Sequence, residues 1–399
     1  MGLLTTPPLG HHARSPFLLL VALTACGTLG MHVIIPALPA TARALDISIS
    51  TVQLTITLYL IGLSIGQLAY GPLSDRFGRR PVLLVGMSVF TIASLVTVIA
   101  PDPEIMIGAR ILQALGGCSG LVLGRAAVRD SATPERAAGQ LALLTLTMSM
   151  VPAIAPAIGG FITAFVHWRA SYALLAMIGG LTLLWTFLIL PETNQNRTTG
   201  PALNSLWRSY VRLVRSRVFI GYALGGAFST TSFYGFMAAA PFIFEGQLGQ
   251  RTQDVGLYYL VLMLGVALGS FLANRMAKRV SLRTGLMTSN AIGVVGASVF
   301  ALANVIDFVN VPVVVGSVTF FMIGAGMTSP FALAGSVSAN PQTIGAASGL
   351  YGFFQMGFGM LCTVVVEVWA PGAIYPVSAI LLTSSVAGMI VIRWGVRRT

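Results

Sequence analysis

The sequence from residue 71 to residue 80 reads Gly71-Pro72-Leu73-Ser74-Asp75-Arg76-Phe77-Gly78-Arg79-Arg80. Two apolar runs without a charged residue flank it, residues 51–70 and residues 82–100. Each run is long enough as a helix to cross the hydrocarbon core of a bilayer. Gly71 and Pro72 are expected to end the first helix, and Pro81 suits the start of the second. The pattern predicts a membrane hairpin with its arginines on the cytoplasmic face.

The composition indicates that the whole chain, like this hairpin, belongs in a membrane. Of 399 residues, 55% are hydrophobic and only 9% are charged, and the mean hydropathy is +0.85. These values are typical of a polytopic membrane protein and exclude a soluble enzyme. The formal net charge is +12, but the basic residues are spread over helix ends and form no single patch, so no nucleic-acid partner is expected. Most of them fall in segments that we assign to the cytoplasm, which predicts that both termini lie there.

Twelve apolar runs can be distinguished, six before and six after a polar connector. This order predicts an all-α polytopic membrane protein with twelve transmembrane helices in two six-helix pseudo-symmetric bundles. The expected domains are residues 1–190, a connector at residues 191–217, and residues 218–399. Within the connector, Tyr210 and Val214 recur at helical spacing beside a stripe of arginines, which predicts a helix along the inner membrane surface.

Two motifs carry a family resemblance. The charged hairpin resembles the loop 2–3 signature of the major facilitator superfamily, Gly-x-Leu-x-Asp-Arg-x-Gly-Arg-Arg/Lys; a generic basic loop would explain its arginines but not Asp75 or the two glycines. The run Met150-Val151-Pro152-Ala153-Ile154-Ala155-Pro156-Ala157-Ile158-Gly159-Gly160-Phe161 is similar to the antiporter motif of drug–proton exporters, in the form typical of the Bcr/CflA drug-resistance subgroup. Ala155 departs from the broader motif, which has glycine there. The resemblance implies secondary active transport: proton-coupled efflux of small amphipathic drugs by alternating access.

The resemblance also implies which residues control access between the halves. Asp75 is expected to pair with cytoplasmic arginines, or to accept hydrogen bonds at the start of the eleventh span near Gly345. The full predicted gating set is Asp75, Arg76, Gly78, Arg79, Arg80, Arg129, Asp130, Pro152, Pro156, Gly159 and Gly160.

A substrate pocket is expected between the halves near the midplane. Arg110 lies inside a membrane run and is a functional candidate by default, although its side chain could instead snorkel to the surface. Aromatic and methionine-rich walls suit a broad amphipathic ligand, while core packing is the alternative role for each aromatic residue. The predicted substrate-binding residues are His32, Tyr59, Arg110, Gln113, Phe233, Tyr234, Tyr259 and Gln355.

His32 is the predicted proton carrier. It stands where the Bcr/CflA subgroup has an aspartate, in Met31-His32-Val33-Ile34-Ile35-Pro36-Ala37-Leu38-Pro39, and a histidine titrates near neutral pH. The alternative is a neutral histidine hydrogen-bonded in the helix packing. Of the eleven acidic residues none is expected at mid-membrane; Glu367, near the outer end of the eleventh span, is the next candidate carrier.

Two other functions are alternatives to drug export. An importer or facilitator of a small metabolite could use the same fold. A membrane-embedded hydrolase or a receptor would need clustered catalytic or metal-binding residues, and none are recognisable, so we predict no enzymatic activity, no metal and no cofactor. The expected partners are a small-molecule substrate, protons and the lipid bilayer of the cell inner membrane, and the chain is expected to act as a monomer.

Overall fold

A computed structural model describes residues 16–131, 134–194, 202–277, 279–339 and 344–396. These residues form helices and their connections, without a strand among them. The first half contains α1 (Phe17–His32), a 3₁₀ turn (Ile35–Ala37), α2 (Leu38–Leu45), α3 (Ile49–Phe77), α4 (Arg79–Ile99), α5 (Pro103–Ser131), α6 (Pro134–Phe165) and α7 (Trp168–Ile189). The connector forms α8 (Ala202–Arg215). The second half contains α9 (Arg217–Thr231), α10 (Phe233–Phe242), a π-helical turn (Ile243–Gln247), α11 (Thr252–Met276), α12 (Leu282–Val305), α13 (Val311–Ser338), α14 (Ile344–Trp369) and α15 (Ile374–Gly395).

Eleven helical segments of the described chain are long and apolar enough to cross a membrane, with α1 and α2 counted as one. The predicted seventh span is also helical, but it is divided at Ser232 into α9 and α10, each too short to be counted alone. The prediction of an all-helical membrane fold is thus confirmed, with twelve spans when α9 and α10 are taken together.

The interruptions within the first and seventh spans have causes in the sequence. Pro36 has no backbone N–H and its ring conflicts with the carbonyl four residues earlier, so α1 ends at His32. In α9, the hydroxyls of three consecutive residues bond back to carbonyls four residues earlier at 2.7–2.8 Å, an arrangement that bends helices. Those residues are Ser229, Thr230 and Thr231.

The expectation that Gly71 and Pro72 end a helix is wrong. Helix α3 continues through both residues to Phe77 and stops at Gly78, whose φ of 101° is unfavourable for other residues. A proline inside a helix leaves the carbonyl four residues earlier without its N–H partner. Here that carbonyl belongs to Leu68, and the Tyr210 hydroxyl of α8 donates a hydrogen bond to it at 3.4 Å.

The same compensation occurs at two more interior prolines. In each case a hydroxyl from another helix donates to the carbonyl that the proline leaves free, as membrane helices require. The two pairs are Tyr259 with Met237, before Pro241 (2.7 Å), and Ser270 with Gly326, before Pro330 (3.2 Å). Local breaks in helical bonding are therefore repaired by tertiary contacts.

The two halves meet along two helix pairs, α3 with α14 and α6 with α11. Small residues permit close approach, since lipid provides no hydrophobic drive between helices. A Cβ at Gly256 of α11 would lie 2.7 Å from the carbonyl oxygen of Pro156 in α6, and one at Gly349 of α14 would lie 3.0 Å from the carbonyl oxygen of Gln67 in α3. The interface between the halves thus depends on backbone contact at glycines.

Candidate transport site and gate

Arg79 is the centre of a charge cluster at the turn between α3 and α4. Its guanidinium donates to Asp75 at 2.7 Å, to Asp130 of α5 at 2.9 Å, and to the Ser74 hydroxyl. The side chain of Arg79 is only 11% exposed, so these charge-assisted bonds are partly shielded from water. The turn, with Gly78 at its corner, brings three predicted gating residues together: Asp75, Arg79 and Asp130.

Glu192 is a member of this cluster that the sequence did not single out. Its carboxylate accepts hydrogen bonds from the backbone N–H groups of Arg79 (2.8 Å) and Arg80 (3.3 Å). These are unpaired donors at the start of α4, where a negative charge is favourable. The Arg80 guanidinium turns away to the Phe187 carbonyl, and Arg76 is exposed. Arg129 is also exposed.

The predicted antiporter motif lies where α6 contacts two other elements. Gly159 faces the chain just after α1, so close that a Cβ would overlap the Val33 carbonyl. A Cβ at Gly160 would be 3.3 Å from the Thr252 carbonyl of α11, in the other half. Both prolines of the motif, at positions 152 and 156, lie within α6. The motif therefore contacts both the non-helical segment of the first span and the other half of the protein.

Three of the four first-half pocket residues, Tyr59, Arg110 and Gln113, form one buried group. Arg110 is fully buried, and its guanidinium donates to Gln113 and to the Thr55 carbonyl (3.4 Å) and lies 4.3 Å from the Tyr59 ring centre. Gln113 donates in turn to Ser94 at 2.7 Å. The alternative of a snorkelling arginine is wrong, because the side chain turns into the bundle. Within the described residues Nη2 of Arg110 has no hydrogen-bond partner.

His32 is the last residue of α1 and is 5% exposed. Its Nδ1 lies 2.8 Å from the Thr28 carbonyl oxygen. Because a carbonyl only accepts, Nδ1 carries a proton and Nε2 is the nitrogen that can gain one. The break in the helix beyond His32 puts this ring beside a non-helical segment.

The second-half pocket residues separate into two environments. Tyr259 is fully buried with its hydroxyl bonded to Met237, and Phe233 stacks on Phe236 with ring centres 5.7 Å apart. Tyr234 and Gln355 are partly exposed, on α10 and α14. Gln355 donates hydrogen bonds to Tyr351 at 2.9 Å and to Thr230 at 3.2 Å. Tyr234 and Gln355 are thus the two second-half pocket residues that keep exposed surface.

Glu367 lies in the interface between the halves. It is 7% exposed and hydrogen-bonded to Thr57 of α3, which also contacts Thr363 at 2.7 Å. One helical turn before Thr57, the Gln53 amide donates to the Ala238 carbonyl of α10 at 3.1 Å. One feature of the sequence indicated this contact, a lone acidic residue, Glu367, in an apolar run. Nothing in the sequence indicated that its partner would be Thr57, which is 310 positions away.

Two bundles that meet along a pair of helix contacts, with buried polar and ionisable groups at and near their junction, define a polytopic transporter fold. The chain superimposes with a TM-score of 0.72 on the crystal structure of a D-xylose–proton symporter, at 15% identity, covering 96% of this chain and 99% of that one. The sequence profile of the Major Facilitator Superfamily matches residues 20–363, and the chain belongs to this family.

Two relatives are similar over most of their length. One is a bicyclomycin resistance protein homolog of Haemophilus influenzae, 28% identical over 88% of this chain and 89% of the relative. Another is multidrug resistance protein D of Escherichia coli K12, 31% identical over 87% of each. These relatives are bacterial, and a multi-pass transporter of such a family belongs to the inner membrane.

Proposed function

We propose that this protein is a proton-coupled exporter of small amphipathic drugs, neutral antibiotics above all, that works by alternating access. The observation that carries the proposal is the position of the antiporter-like segment. Pro156 and Gly160 contact α11 through the backbone, so this segment lies in the interface between the halves, which would move relative to each other during transport. The names of the relatives, which refer to drug resistance, support the same function.

The energy source in this proposal is a proton gradient. The sequence has no ATP-binding loop, and a secondary transporter needs an ionisable group that binds the proton. His32 is the proposed carrier, with Nε2 as the nitrogen that takes up the proton. The membrane orientation, with both termini in the cytoplasm, rests on the excess of basic residues at the Asp75 end.

The proposed organisation has two transport domains, residues 1–190 and 218–399, with the connector between them. The proposed substrate pocket consists of the eight residues predicted from the sequence. In this proposal Tyr234 and Gln355 contact the substrate, which is supported by their exposed surface. The buried side chains of Tyr59, Arg110 and Gln113 support the pocket from within the first half.

The experiment uses inside-out vesicles that contain the protein and a drug such as a neutral antibiotic. An imposed proton gradient, acidic inside, should drive drug accumulation, and collapsing the gradient should release the drug. Resistance profiling in a host without its own exporters, with and without this chain, should show protection against neutral drugs. Absence of gradient-driven accumulation, together with uptake of a metabolite by whole cells, would identify an importer.

A further inference from the structure

The contact between α3 and α14 includes a row of three hydrogen bonds. The Glu367 carboxyl meets the Thr57 hydroxyl, Thr57 lies 2.7 Å from the Thr363 hydroxyl, and Thr363 lies 2.8 Å from the Met360 carbonyl oxygen. Each threonine hydroxyl has one proton, and the carbonyl has none. Three contacts require three protons, and the two hydroxyls supply only two.

The third proton has one source, the carboxyl group itself. If Glu367 is neutral, its O–H donates to Thr57, Thr57 donates to Thr363, and Thr363 donates to the Met360 carbonyl. If Glu367 is ionised, Thr57 must donate to it, and the two remaining contacts then compete for the single proton of Thr363. The arrangement is fully bonded only in the protonated form.

The surroundings of Glu367 favour the same form. Within the described residues no cation pairs with this carboxyl, and burying an unpaired charge is costly. Packed against α14 are α3, α8, α9, α10, α13 and α15. Their titratable side chains are tyrosines or lie towards the opposite end: Tyr59, Tyr70, Asp75, Arg76, Arg208, Tyr210, Arg212, Arg215, Arg217, Tyr222, Tyr234, Tyr375 and Arg393.

Distances along the helices show how far the charges are. Asp75 is 18 residues beyond Thr57 on α3, or about 27 Å along the helix axis at roughly 1.5 Å per residue. The tyrosine nearest in sequence to Thr57, Tyr59, uses its hydroxyl on the Gly27 carbonyl at 2.8 Å. Tyr375 packs edge-on against Trp369 with ring centres 4.9 Å apart. No group on these elements can take the place of the proton on Glu367.

We infer that Glu367 is a protonation-controlled latch: the neutral carboxyl holds α3 and α14 together at this end, and loss of its proton releases them. The inference rests on the proposed proton-coupled transport and adds to it a second ionisable residue, which sets the state of the interface. Protonation from the compartment at the Glu367 end would close that end of the transporter. Ionisation would open it, because a carboxylate without a cation is better solvated by water than by the single hydroxyl of Thr57.

The test measures the distance between the halves at this end as a function of pH. Spin labels at Glu104→Cys, at the start of α5, and Ile306→Cys, just after α12, report it by electron–electron double resonance in nanodiscs. Both positions are exposed, and the native cysteines are buried. The unsubstituted protein, treated with the same label, controls for reaction at the native thiols.

In the protein with native Glu367, the short distance should dominate at acidic pH and a longer one should appear as pH rises. Glu367→Gln should keep the short distance at every pH, because an amide donates to Thr57 without a charge. Thr57→Val should open at lower pH than the parent, whereas Thr57→Ser, which keeps the hydroxyl, should resemble it. A parent distance that ignores pH, or an unchanged pH dependence in Glu367→Gln, overturns the latch.

Drug transport by the same variants separates this inference from the proposed function. Glu367→Gln should accumulate no more drug under a proton gradient than vesicles without protein. If the parent shows no proton-driven drug transport, the proposed function fails, and the distance measurement still decides the latch. If both parent and Glu367→Gln couple normally, the function stands and the latch is rejected.

Discussion

Tyr259→Phe tests whether the hydroxyl of Tyr259 repairs the helical break at Pro241. Pro241 cannot donate to Met237, and the Tyr259 hydroxyl, from α11, bonds to that carbonyl oxygen at 2.7 Å. Tyr259 and Met237 are both fully buried, so water cannot replace the lost donor. Phenylalanine keeps the ring and removes only the hydroxyl.

These contacts give the expected loss in the free energy of unfolding. A buried carbonyl left without a donor costs about 1–3 kcal/mol, which is roughly a 5- to 150-fold change in the folding equilibrium. The neighbouring Tyr258→Phe is the matched control. Tyr258 donates to Gln250 at 2.6 Å but is partly exposed, so water can take its place. Its loss should change the free energy of unfolding by about 0.5 kcal/mol or less.

The assay is equilibrium unfolding in mixed micelles, with Pro241→Ala as a second background. Alanine restores a backbone N–H to the helix, so in this background Tyr259→Phe should cost no more than about 0.5 kcal/mol. Two results would refute the role of the Tyr259 hydroxyl. One is a Tyr259→Phe protein with the same free energy of unfolding as Tyr258→Phe. The other is an equal loss of unfolding free energy from Tyr259→Phe with Pro241 present and with Pro241→Ala. Because Tyr259 also belongs to the proposed pocket, drug binding by the folded variant shows whether its hydroxyl has a second role.

Four further tests address the gate, the proton carrier, helix packing and substrate charge. Asp75→Asn should lower transport but not membrane insertion, since the charge that pairs with the neighbouring arginine is lost; wild-type transport rates in a well-expressed variant contradict this. His32→Gln should abolish proton-driven accumulation but keep drug binding, and His32→Asp should restore some coupling with an altered pH profile; normal uphill transport by His32→Gln excludes His32 as the carrier. Gly159→Ala should lower the free energy of unfolding by about 1–3 kcal/mol, because its methyl group would overlap the Val33 carbonyl. Gly139→Ala, in the same helix with open space around it, should not, and equal unfolding free energies for the two variants would contradict close packing at Gly159. In resistance assays neutral drugs should be preferred to quaternary ammonium dyes, because a cation near Arg110 meets like charge in a low dielectric, and resistance to the dyes alone would reverse that conclusion.

The membrane class, the helical fold and the position of the charged turn could be predicted from the sequence. Hydropathy and charge act locally: an apolar run of sufficient length must form a helix in lipid, and arginines must lie at its ends. The end of α1 at His32 is also a local effect, because Pro36 cannot continue the helix. Local chemistry was insufficient at Pro72, where the helix continues because a tyrosine from the distant connector bonds to the carbonyl that the proline leaves free.

Tertiary structure decided which polar groups meet. The sequence left open whether Arg110 faces the bundle or snorkels to the surface, and packing of α3 against α5 turns it onto Tyr59 and Gln113. Glu367 was placed near a helix end by sequence, yet only the approach of α14 to α3 gives it Thr57 as a partner. Thr57 and Glu367 lie 310 positions apart, and Arg110 meets Tyr59 from a different helix. A hydropathy pattern contains no information about such contacts. They depend on where glycines let two backbones touch, which is a property of the assembled bundle.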